Sequence, residues 1–370
     1  MLLFTPGPTP TPEAVRVAMA APTIHHRTPE FEAIFAKARK SLLDLFAMDE
    51  AIMLASSGTG AMEASIINLC KNKALTINAG KFGDRFGKIV KAHNKELLEL
   101  KYDWDTPAKV EDVIEAIKNN SDIDTIAIQV CESAGGLRHP VEEIAKAAKE
   151  INKDIIVIAD GITAVGVEPI DVSSIDALIA GSQKALMLPP GLAMIGLSKS
   201  ALDRIGKGSG YYFNLASEIA KQQKNTTAYT AATTLIIGLN KIFELIEEFG
   251  GKKKLYKVTK ARSKALIEAL KAINLKIYPK SPALAMATVI DENAEDIRKL
   301  LKSKYKVNVA GGQDHLKGKI FRVNNMGLIE TSDMLWVVNS IENALADLNR
   351  LEYSGKAAKV FSQVFEAELK

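Results

Sequence analysis

Residues 155–184, IIVIADGITAVGVEPIDVSSIDALIAGSQK, decide the fold of this chain. The apolar run Ile155–Ala159 predicts a strand that is buried on both faces, and the carboxylate of Asp160 follows directly. A second apolar run, Ala177–Ala180, leads into Gly181-Ser182-Gln183-Lys184. Ligands bind parallel sheets at the carboxyl ends of the strands, so Asp160 and Lys184 are the first candidates for chemistry.

Strand and helix patterns alternate on both sides of this segment. Short apolar runs predict strands at residues 51–55, 74–78, 97–102, 125–130, 155–159, 177–180 and 192–197. Amphipathic patterns predict helices at residues 31–46, 59–69, 107–118 and 141–152, and a further helix that begins at Phe86. Such alternation predicts an α/β protein with a mostly parallel sheet that carries helices on both faces.

The pattern changes after Gly206. Helices are predicted at residues 211–224 and 231–249, and Gly250-Gly251 marks a break. The elements predicted beyond the break are a helix from Lys252, strands at 283–290, 307–309 and 320–324, helices at 295–304 and 332–351, and a last helix with an apolar stripe from Val360 to Leu369. We therefore expect an N-terminal arm (1–20), a large ligand-binding domain (21–250) and a small C-terminal α+β domain (251–370).

The composition is that of an ordinary globular protein: 370 residues, 47% apolar, 25% charged and a formal net charge of +4. This small charge gives no reason to expect a nucleic acid or a membrane surface as a partner. Cys70 and Cys131 are too few for a disulfide framework and lack the spacing of metal ligands, so no metal is expected. Neither a secretory signal pattern nor an apolar run of membrane-spanning length is present, and we expect a soluble cytoplasmic protein.

Two features at the carboxyl ends of predicted strands suggest a ligand with a phosphate and a ring nitrogen. Ser56-Ser57-Gly58-Thr59-Gly60 stands between a strand and a helix, where free N–H groups and the helix dipole favour a phosphate. It lacks the dinucleotide fingerprint and the P-loop lysine, and it could equally be an ordinary helix cap. Asp160 needs a partner at the end of its buried strand, such as a protonated pyridine nitrogen; alternatively it caps a helix or a turn.

Two cationic residues complete the set of candidates. Lys184 follows an apolar run in a turn of small residues, where desolvation lowers the amine pKa and favours imine formation; alternatively it lies at a strand edge. Arg322 stands inside the apolar strand Lys319–Asn324. A guanidinium binds a carboxylate through two parallel hydrogen bonds, which suits an amino acid, although a structural ion pair is the alternative.

With these motifs the chain resembles the class V aminotransferases, enzymes that use pyridoxal 5′-phosphate (PLP), in the branch of alanine–glyoxylate, serine–glyoxylate and serine–pyruvate aminotransferases. The resemblance covers nearly the whole chain, and its motifs are Thr5-Pro6-Gly7-Pro8, Ser57-Gly58-Thr59, Asp160, residues 181–186 (GSQKAL), Pro189-Pro190-Gly191 and the Arg322 strand. Three further segments are similar to a prokaryotic subgroup that includes an aspartate aminotransferase and proteins called soluble hydrogenase small subunit: residues 25–28, 210–212 and 310–313. The resemblance implies the PLP-dependent transferase fold (fold type I), with a mostly parallel seven-stranded sheet and a smaller C-terminal α+β domain.

The resemblance also implies a role for each matching residue. Lys184 would hold PLP as a Schiff base and move protons, and Asp160 would bind the pyridine nitrogen. The other residues implied at the cofactor are Ser57, Gly58, Thr59 and Gln183 at the phosphate, Phe82 stacked on the ring, Ser133 near the cofactor, and Thr230 with Thr227 from a second subunit. Arg322 would bind the substrate carboxylate, with Ser133 and Arg27 beside the substrate.

The implied activity is a ping-pong transfer of an amino group from alanine or serine to glyoxylate or pyruvate, catalysed by a homodimer with shared active sites. Aspartate is an alternative donor because of the prokaryotic subgroup. Phosphoserine is another, and its phosphate would rely on His25, His26 and Arg27, which could instead line the entrance or be structural.

Two other readings remain open from the residues. A cysteine desulfurase on the same fold would need a cysteine in the C-terminal half, whereas Cys70 and Cys131 both lie in the first half. A non-catalytic, hydrogenase-associated subunit would have no use for Lys184, Asp160 and Arg322 together.

Overall fold

A computed structural model describes the whole chain, residues 1–370. The β-strands are β1 Leu2–Phe4, β2 Glu50–Leu54, β3 Lys73–Asn78, β4 Glu96–Lys101, β5 Ile123–Gln129, β6 Cys131–Glu132, β7 Leu137–Arg138, β8 Ile156–Asp160, β9 Ala177–Gly181, β10 Ala193–Leu197, β11 Lys276–Ile277, β12 Met286–Ile290, β13 Val307–Gly311 and β14 Ile320–Asn324. The α-helices are α1 Glu13–Met19, α2 Pro29–Phe46, α3 Gly58–Leu69, α4 Lys81–Ala92, α5 Val110–Asn119, α6 Val141–Ile151, α7 Lys199–Ile205, α8 Leu215–Gln222, α9 Thr233–Phe249, α10 Gly251–Ala272, α11 Ala294–Ser303, α12 Thr331–Asp347 and α13 Lys356–Leu369.

The larger sheet has seven strands in the order β2-β10-β9-β8-β5-β3-β4. Strand β10 runs antiparallel to both neighbours, and the other adjacent pairs are parallel. Alternate residues of each strand enter two different hydrophobic clusters, so helices cover both faces: α2 and α6 pack on one, α3 and α4 on the other. The predicted mostly parallel, seven-stranded sheet is therefore confirmed.

The smaller sheet has five strands in the order β1-β13-β14-β12-β11. Its first strand comes from the N-terminus: Leu2 pairs with Val307 and Phe4 with Val309. Phe4 is buried in the hydrophobic core of this sheet together with Phe321 and Phe361. The N-terminal residues thus complete the C-terminal sheet, a pairing that no local sequence pattern indicates.

The predicted break at Gly250-Gly251 is confirmed. Helix α9 ends at Phe249, Gly250 has a φ of 115°, and α10 begins at the next residue. A side chain is strained at such a φ, so glycine permits this sharp change of direction. We propose that this joint separates the large domain from the small one. None of the helices is long and apolar enough to span a bilayer.

Two predicted helices have different starts in the structure. Helix α4 begins at Lys81, not at Phe86, because the carboxylate of Glu132 accepts the N–H groups of Phe82 and Gly83 in its first turn. Helix α8 begins at Leu215, not at Tyr211, because the Asn214 side chain caps it by accepting the Ser217 N–H.

Candidate active site

Asp160 is the last residue of β8, in the middle of the large sheet. The residue is only 4% exposed. Oδ1 accepts the Ile162 N–H at 2.9 Å, and no cationic side chain forms an ion pair with the carboxylate. Burial raises the pKa of Asp160 to about 6, although the Ile162 N–H, Lys184 and Arg85 act in the opposite direction. A buried carboxyl with so few partners is well suited to pair with a cationic ring nitrogen.

Lys184 lies three residues after the end of β9, the strand beside β8. Burial lowers the pKa of its ammonium to about 8; Arg322 also lowers it, while Cys131, Asp160 and Glu132 raise it. A large share of the amine is therefore neutral near pH 8, which is the form that attacks a carbonyl carbon.

The N-terminal segment packs directly on the Lys184 turn. The Lys184 ammonium donates to the Pro6 carbonyl, the Thr9 hydroxyl donates to the Lys184 carbonyl at 2.7 Å, and the Thr9 N–H donates to the Gln183 carbonyl at 3.1 Å. Gly7 has a φ of 126°, and a Cβ at this position would lie 2.7 Å from the Lys184 Nζ. Only glycine lets the backbone pass this close to the amine.

The predicted phosphate segment forms the N-terminus of α3. Ser57 is exposed at the N-cap, and its side chain makes no capping hydrogen bond. The Thr59 hydroxyl accepts from Arg85 Nη1 at 2.8 Å, so its own hydrogen is free to be donated. The buried Gln183 Oε1 has no partner. The free hydroxyls and the positive end of the helix dipole suit a phosphate.

Ile162 joins this phosphate segment to Asp160 and Lys184. A Cβ on Gly58 would lie 2.4 Å from Ile162 Cδ1, and a Cβ on Gly181 would lie 3.2 Å from both Ile162 Cγ2 and Gln183 Oε1. Three chain segments that are distant in sequence therefore converge on one side chain at the carboxyl edge of the sheet.

Arg322 comes to this site from β14 of the small sheet. Its Nη1 donates to the Ser133 carbonyl at 2.6 Å and its Nη2 to the Gly311 carbonyl at 2.7 Å, whereas its buried Nε has no partner. Burial lowers the pKa of this guanidinium, although Glu132 and Cys131 oppose that shift. The two backbone bonds fix the plane of the group and leave N–H donors for a carboxylate.

Sequence reasoning did not identify two charged residues of this site, Glu132 and Arg85. Glu132 is fully buried and accepts backbone N–H groups from Phe82, Gly83 and Ala134. The Arg85 guanidinium lies 4.6 Å from the centroid of the Phe82 ring. Glu132 directly precedes Ser133, and Arg85 lies one helical turn after Phe82, a relation that only becomes visible once α4 is known to start at Lys81.

Arg27, Thr227 and Thr230 form a group of their own. Arg27 donates to the Thr226 hydroxyl at 2.5 Å and to the Thr227 carbonyl at 2.7 Å. Thr230, in the same loop, is exposed. None of the hydrogen bonds of Arg27 or Thr227 reaches Lys184, Asp160 or Ser57–Thr59 of the same chain. The other predicted site residues lie along the carboxyl edge of the large sheet or face it from β14.

Comparison with known proteins identifies the family. The family model described as aminotransferase class-V matches residues 1–346. The chain belongs to the class V aminotransferases. It is a PLP-dependent aminotransferase, as the resemblance of its motifs implies.

Relatives and solved structures match this aminotransferase over nearly their full length. An uncharacterized aminotransferase of Helicobacter pylori is 49% identical, over 98% of both chains. The serine–glyoxylate aminotransferase of Hyphomicrobium methylovorum is 29% identical, over 98% of this chain and 94% of the relative. The crystal structure of the subgroup IV aspartate aminotransferase of Thermus thermophilus superposes with a TM-score of 0.88 at 29% identity, covering 94% of this chain and 99% of the other.

The residues of this aminotransferase fit PLP. Asp160 offers a buried carboxylate without an ion pair, Lys184 offers an amine with a lowered pKa, and the start of α3 offers unbonded donors for a phosphate. The buried Arg322 Nε, a donor without a partner, is expected where an anionic ligand completes the site.

Proposed function

We propose that this enzyme transfers the amino group of a small amino acid, alanine or serine, to glyoxylate or pyruvate. The observation that supports a small donor is which cationic side chains around the site already have partners in the protein. Arg322 has an unpartnered Nε for one carboxylate. Lys81 is paired with Asp314, and Arg85, which has no ion pair, lies over the Phe82 ring and donates one hydrogen bond to Thr59. A donor with a single carboxylate needs one free guanidinium, and a dicarboxylate needs a second cation.

Each residue has a separate task in this reaction. PLP, when bound, stores the electron pair that the substrate α-carbon releases. Lys184 Nζ removes the α-proton and returns a proton, because its lowered pKa gives it a basic neutral form near neutral pH. Asp160, held by the Ile162 N–H, keeps the ring nitrogen protonated. Arg322 fixes the substrate carboxylate, and so orients the α-carbon toward Lys184.

The acceptor assignment is supported by the names of relatives. The Hyphomicrobium relative is named for serine and glyoxylate, which agrees with a small donor and a small 2-oxo acid. The Thermus structure is named an aspartate aminotransferase, so aspartate is the second candidate donor. An aspartate side chain would need a second cation: either Arg85, which has no ion pair but is held against Phe82 and Thr59, or a cation from elsewhere.

We also propose that the active enzyme is a homodimer in which Thr227 and Thr230 of one subunit reach the phosphate of the other. Support comes from their contacts: Arg27 holds the Thr226–Tyr229 loop through three hydrogen bonds, and no hydrogen bond of Arg27 or Thr227 reaches Lys184 of the same chain. Tyr212 stacks on Tyr229 beside this loop, and Tyr211, 83% exposed, packs against Tyr229 at a tilt. The three rings form an exposed aromatic patch that a second copy could cover. Analytical ultracentrifugation should give a dimer; a catalytically competent monomer would contradict this assembly.

The function is tested with the purified, PLP-loaded enzyme, one donor at a time and no 2-oxo acid. Alanine or serine should convert the visible absorbance of the bound cofactor to a near-ultraviolet band faster than aspartate or phosphoserine. Glyoxylate or pyruvate should then restore the visible band. A Lys184→Ala variant should show neither change.

The other readings predict different results in the same assay. Fastest conversion by aspartate or phosphoserine would replace the small-donor assignment with that donor. Release of sulfide from cysteine would indicate a desulfurase, which is disfavoured because both cysteines are buried. No conversion by any donor, despite bound cofactor, would contradict the proposal and favour a non-catalytic subunit.

A further inference from the structure

The segment Gly80–Gly83 that carries Phe82 is held by a carboxyl group from another part of the chain. Glu132 Oε2 accepts the N–H of Phe82 at 2.9 Å and that of Gly83 at 3.0 Å, while Oε1 accepts the N–H of Ala134 at 3.0 Å. One side chain therefore ties the start of α4 to the backbone that flanks Ser133. The Phe82 and Gly83 donors are otherwise free, because the first N–H groups of a helix have no partner within it.

The Glu132 side chain is closely packed on the side that Gly80 faces. Glu132 is 0% exposed, and a Cβ on Gly80 would lie 2.5 Å from its Cδ and Cγ atoms. On the other side of the segment, a Cβ on Gly83 would lie 2.5 Å from the Ile77 carbonyl oxygen. The backbone of Phe82 is thus packed between β3 and the Glu132 side chain, with glycine on both flanks.

The ring of Phe82 is held by a second charged residue. The Arg85 guanidinium lies 4.6 Å from the ring centroid, and its Nη1 donates to the Thr59 hydroxyl at 2.8 Å. A guanidinium stacked on an aromatic ring restricts the ring while its edge remains free for hydrogen bonds. Arg85 therefore connects the Phe82 ring to the start of α3, where the phosphate is expected.

We propose that Glu132 and Arg85 are positioning residues that hold the Phe82 ring in place for stacking on the cofactor, Glu132 through the backbone and Arg85 through the ring. We call this pair the Phe82 clamp. The proposal rests on the expected stacking role of Phe82 and is independent of the donor and the acceptor. It also gives one physical link from Thr59 at the phosphate, through Phe82, to Ser133 and Arg322 at the substrate.

Cofactor binding to the apoenzyme, without any substrate, tests the clamp. The dissociation constant of PLP comes from a spectroscopic titration, and the visible circular dichroism of the bound cofactor reports how rigidly its ring is held. In Glu132→Gln, the amide can accept at one atom only and must turn its NH₂ toward backbone N–H donors on one side. We expect PLP affinity to fall about tenfold and the visible dichroism to weaken, since the loss of one buried hydrogen bond has about this effect.

The chain offers a matched control in Glu342. This carboxyl is also buried and also accepts backbone N–H groups, from Ser354, Lys356 and Ala357, but it belongs to α12 and holds the start of α13. Glu342→Gln should lower the melting temperature without changing PLP affinity or the dichroism. Equal losses of PLP affinity in both variants would mean that Glu132 acts only through general stability, and would overturn the proposal.

Arg85 is tested with Arg85→Met and Arg85→Lys, and with Lys88→Met one turn further along α4 as the control. Lys88 pairs with Asp84 on the surface and has no contact with Phe82. We expect both Arg85 variants to lose PLP affinity and dichroism, because lysine cannot stack on the ring and bond Thr59 in the same way, and we expect Lys88→Met to behave like the parent. Full retention of affinity and dichroism in Arg85→Lys would show that charge alone matters and would contradict the clamp.

A double-mutant cycle with Phe82→Ala decides whether the clamp acts through Phe82. The effect of Glu132→Gln on PLP affinity should shrink to less than about twofold when Phe82 is already alanine. An unchanged, full-size effect in that background would overturn the proposal. If Glu132→Gln does not fold, the cycle of Arg85→Met with Phe82→Ala gives the same decision. Failure of the proposed small-donor transamination would leave all these measurements intact, because no substrate is present.

Discussion

Two buried carboxyl groups in different regions of the molecule have opposite environments. Asp160, at the carboxyl edge of the large sheet, has one backbone N–H donor and no ion pair, and burial raises its pKa to about 6. Glu342, on α12, is also buried, but the N–H groups of Ala357, Ser354 and Lys356 and the Ser354 hydroxyl more than offset that burial. The pKa of Glu342 therefore lies below its usual value.

We propose that this difference distinguishes a structural carboxylate from one that binds the cofactor. The hydrogen bonds of Glu342 are satisfied within the protein, without a ligand. Its carboxylate fixes the start of α13 by accepting N–H groups that the helix leaves free. Asp160 has no cationic partner until a ligand binds, so the burial of its carboxyl group lowers the stability of the folded apoenzyme. The same is true of Arg322, whose buried Nε has no partner. Residues that destabilise the empty site are the ones we expect to bind PLP and substrate.

The largest effect should come from Lys184→Ala, which removes the amine beside Asp160. We expect the rate of transamination to fall about a thousandfold or more, because no other group can carry the proton. Lys199→Ala, which removes an exposed lysine of α7, is the control and should be fully active. Single-turnover absorbance measurements check both. Residual activity above a few per cent in Lys184→Ala would contradict the assignment.

Arg322→Gln tests the other incomplete group. We expect the KM for the amino donor to rise about 10–100-fold with a smaller change in kcat, since a charge-assisted contact to the carboxylate is lost. Steady-state kinetics provide the measurement. Arg350→Gln breaks a surface pair with Asp291 in the same domain and should leave KM unchanged. An unchanged KM in Arg322→Gln would place the substrate carboxylate elsewhere.

Asp160→Asn and Glu342→Gln should change stability in opposite directions. In the apoenzyme at pH 7, Asp160→Asn should raise the free energy of unfolding by on the order of 1–3 kcal/mol, because it removes a carboxylate that is ionised against its burial. Glu342→Gln should lower it by about 1–3 kcal/mol, because satisfied hydrogen bonds are lost. Urea denaturation measures both. If both variants changed the free energy of unfolding in the same direction, the proposed difference between the two carboxyl groups would be wrong.

The smallest effect is the pH dependence of these differences. The folded-state pKa of Asp160 is raised, so its contribution to stability is fully present below about pH 4 and is lost as the pH rises through about 6. The folded-state pKa of Glu342 is lowered, so its contribution is present above its usual pKa and is lost as the pH falls below that value. The advantage of Asp160→Asn should therefore grow between about pH 4 and pH 6, and the deficit of Glu342→Gln should shrink at the acid end. Urea titrations of the apoenzymes at several pH values check this. If the free energy of unfolding of both variants followed the same pH dependence as that of the parent protein, the prediction would be refuted.

Most strands and helices were predictable because their patterns are local. The apolar runs at Ile155–Ala159 and Ala177–Ala180 became β8 and β9 within one residue at each end. The errors arose where a distant group determines a boundary. Helix α4 starts at Lys81 because Glu132 caps it from another part of the chain. Strand β1 exists because Leu2 and Phe4 pair with β13.

For the proposed site, the sequence by itself predicted the chemistry. An aspartate and a lysine at the ends of buried strands, small residues at a helix start and an arginine within an apolar strand already indicated PLP and a carboxylate substrate. Residue types and strand periodicity carry that information because they are properties of a few consecutive residues. Only the tertiary structure decided what surrounds these groups. The packing of Gly7 on Lys184, the convergence on Ile162 and the hold of Glu132 and Arg85 on Phe82 depend on contacts between segments that are far apart in sequence. Such contacts are fixed by the way that helices and strands pack, which no local pattern records.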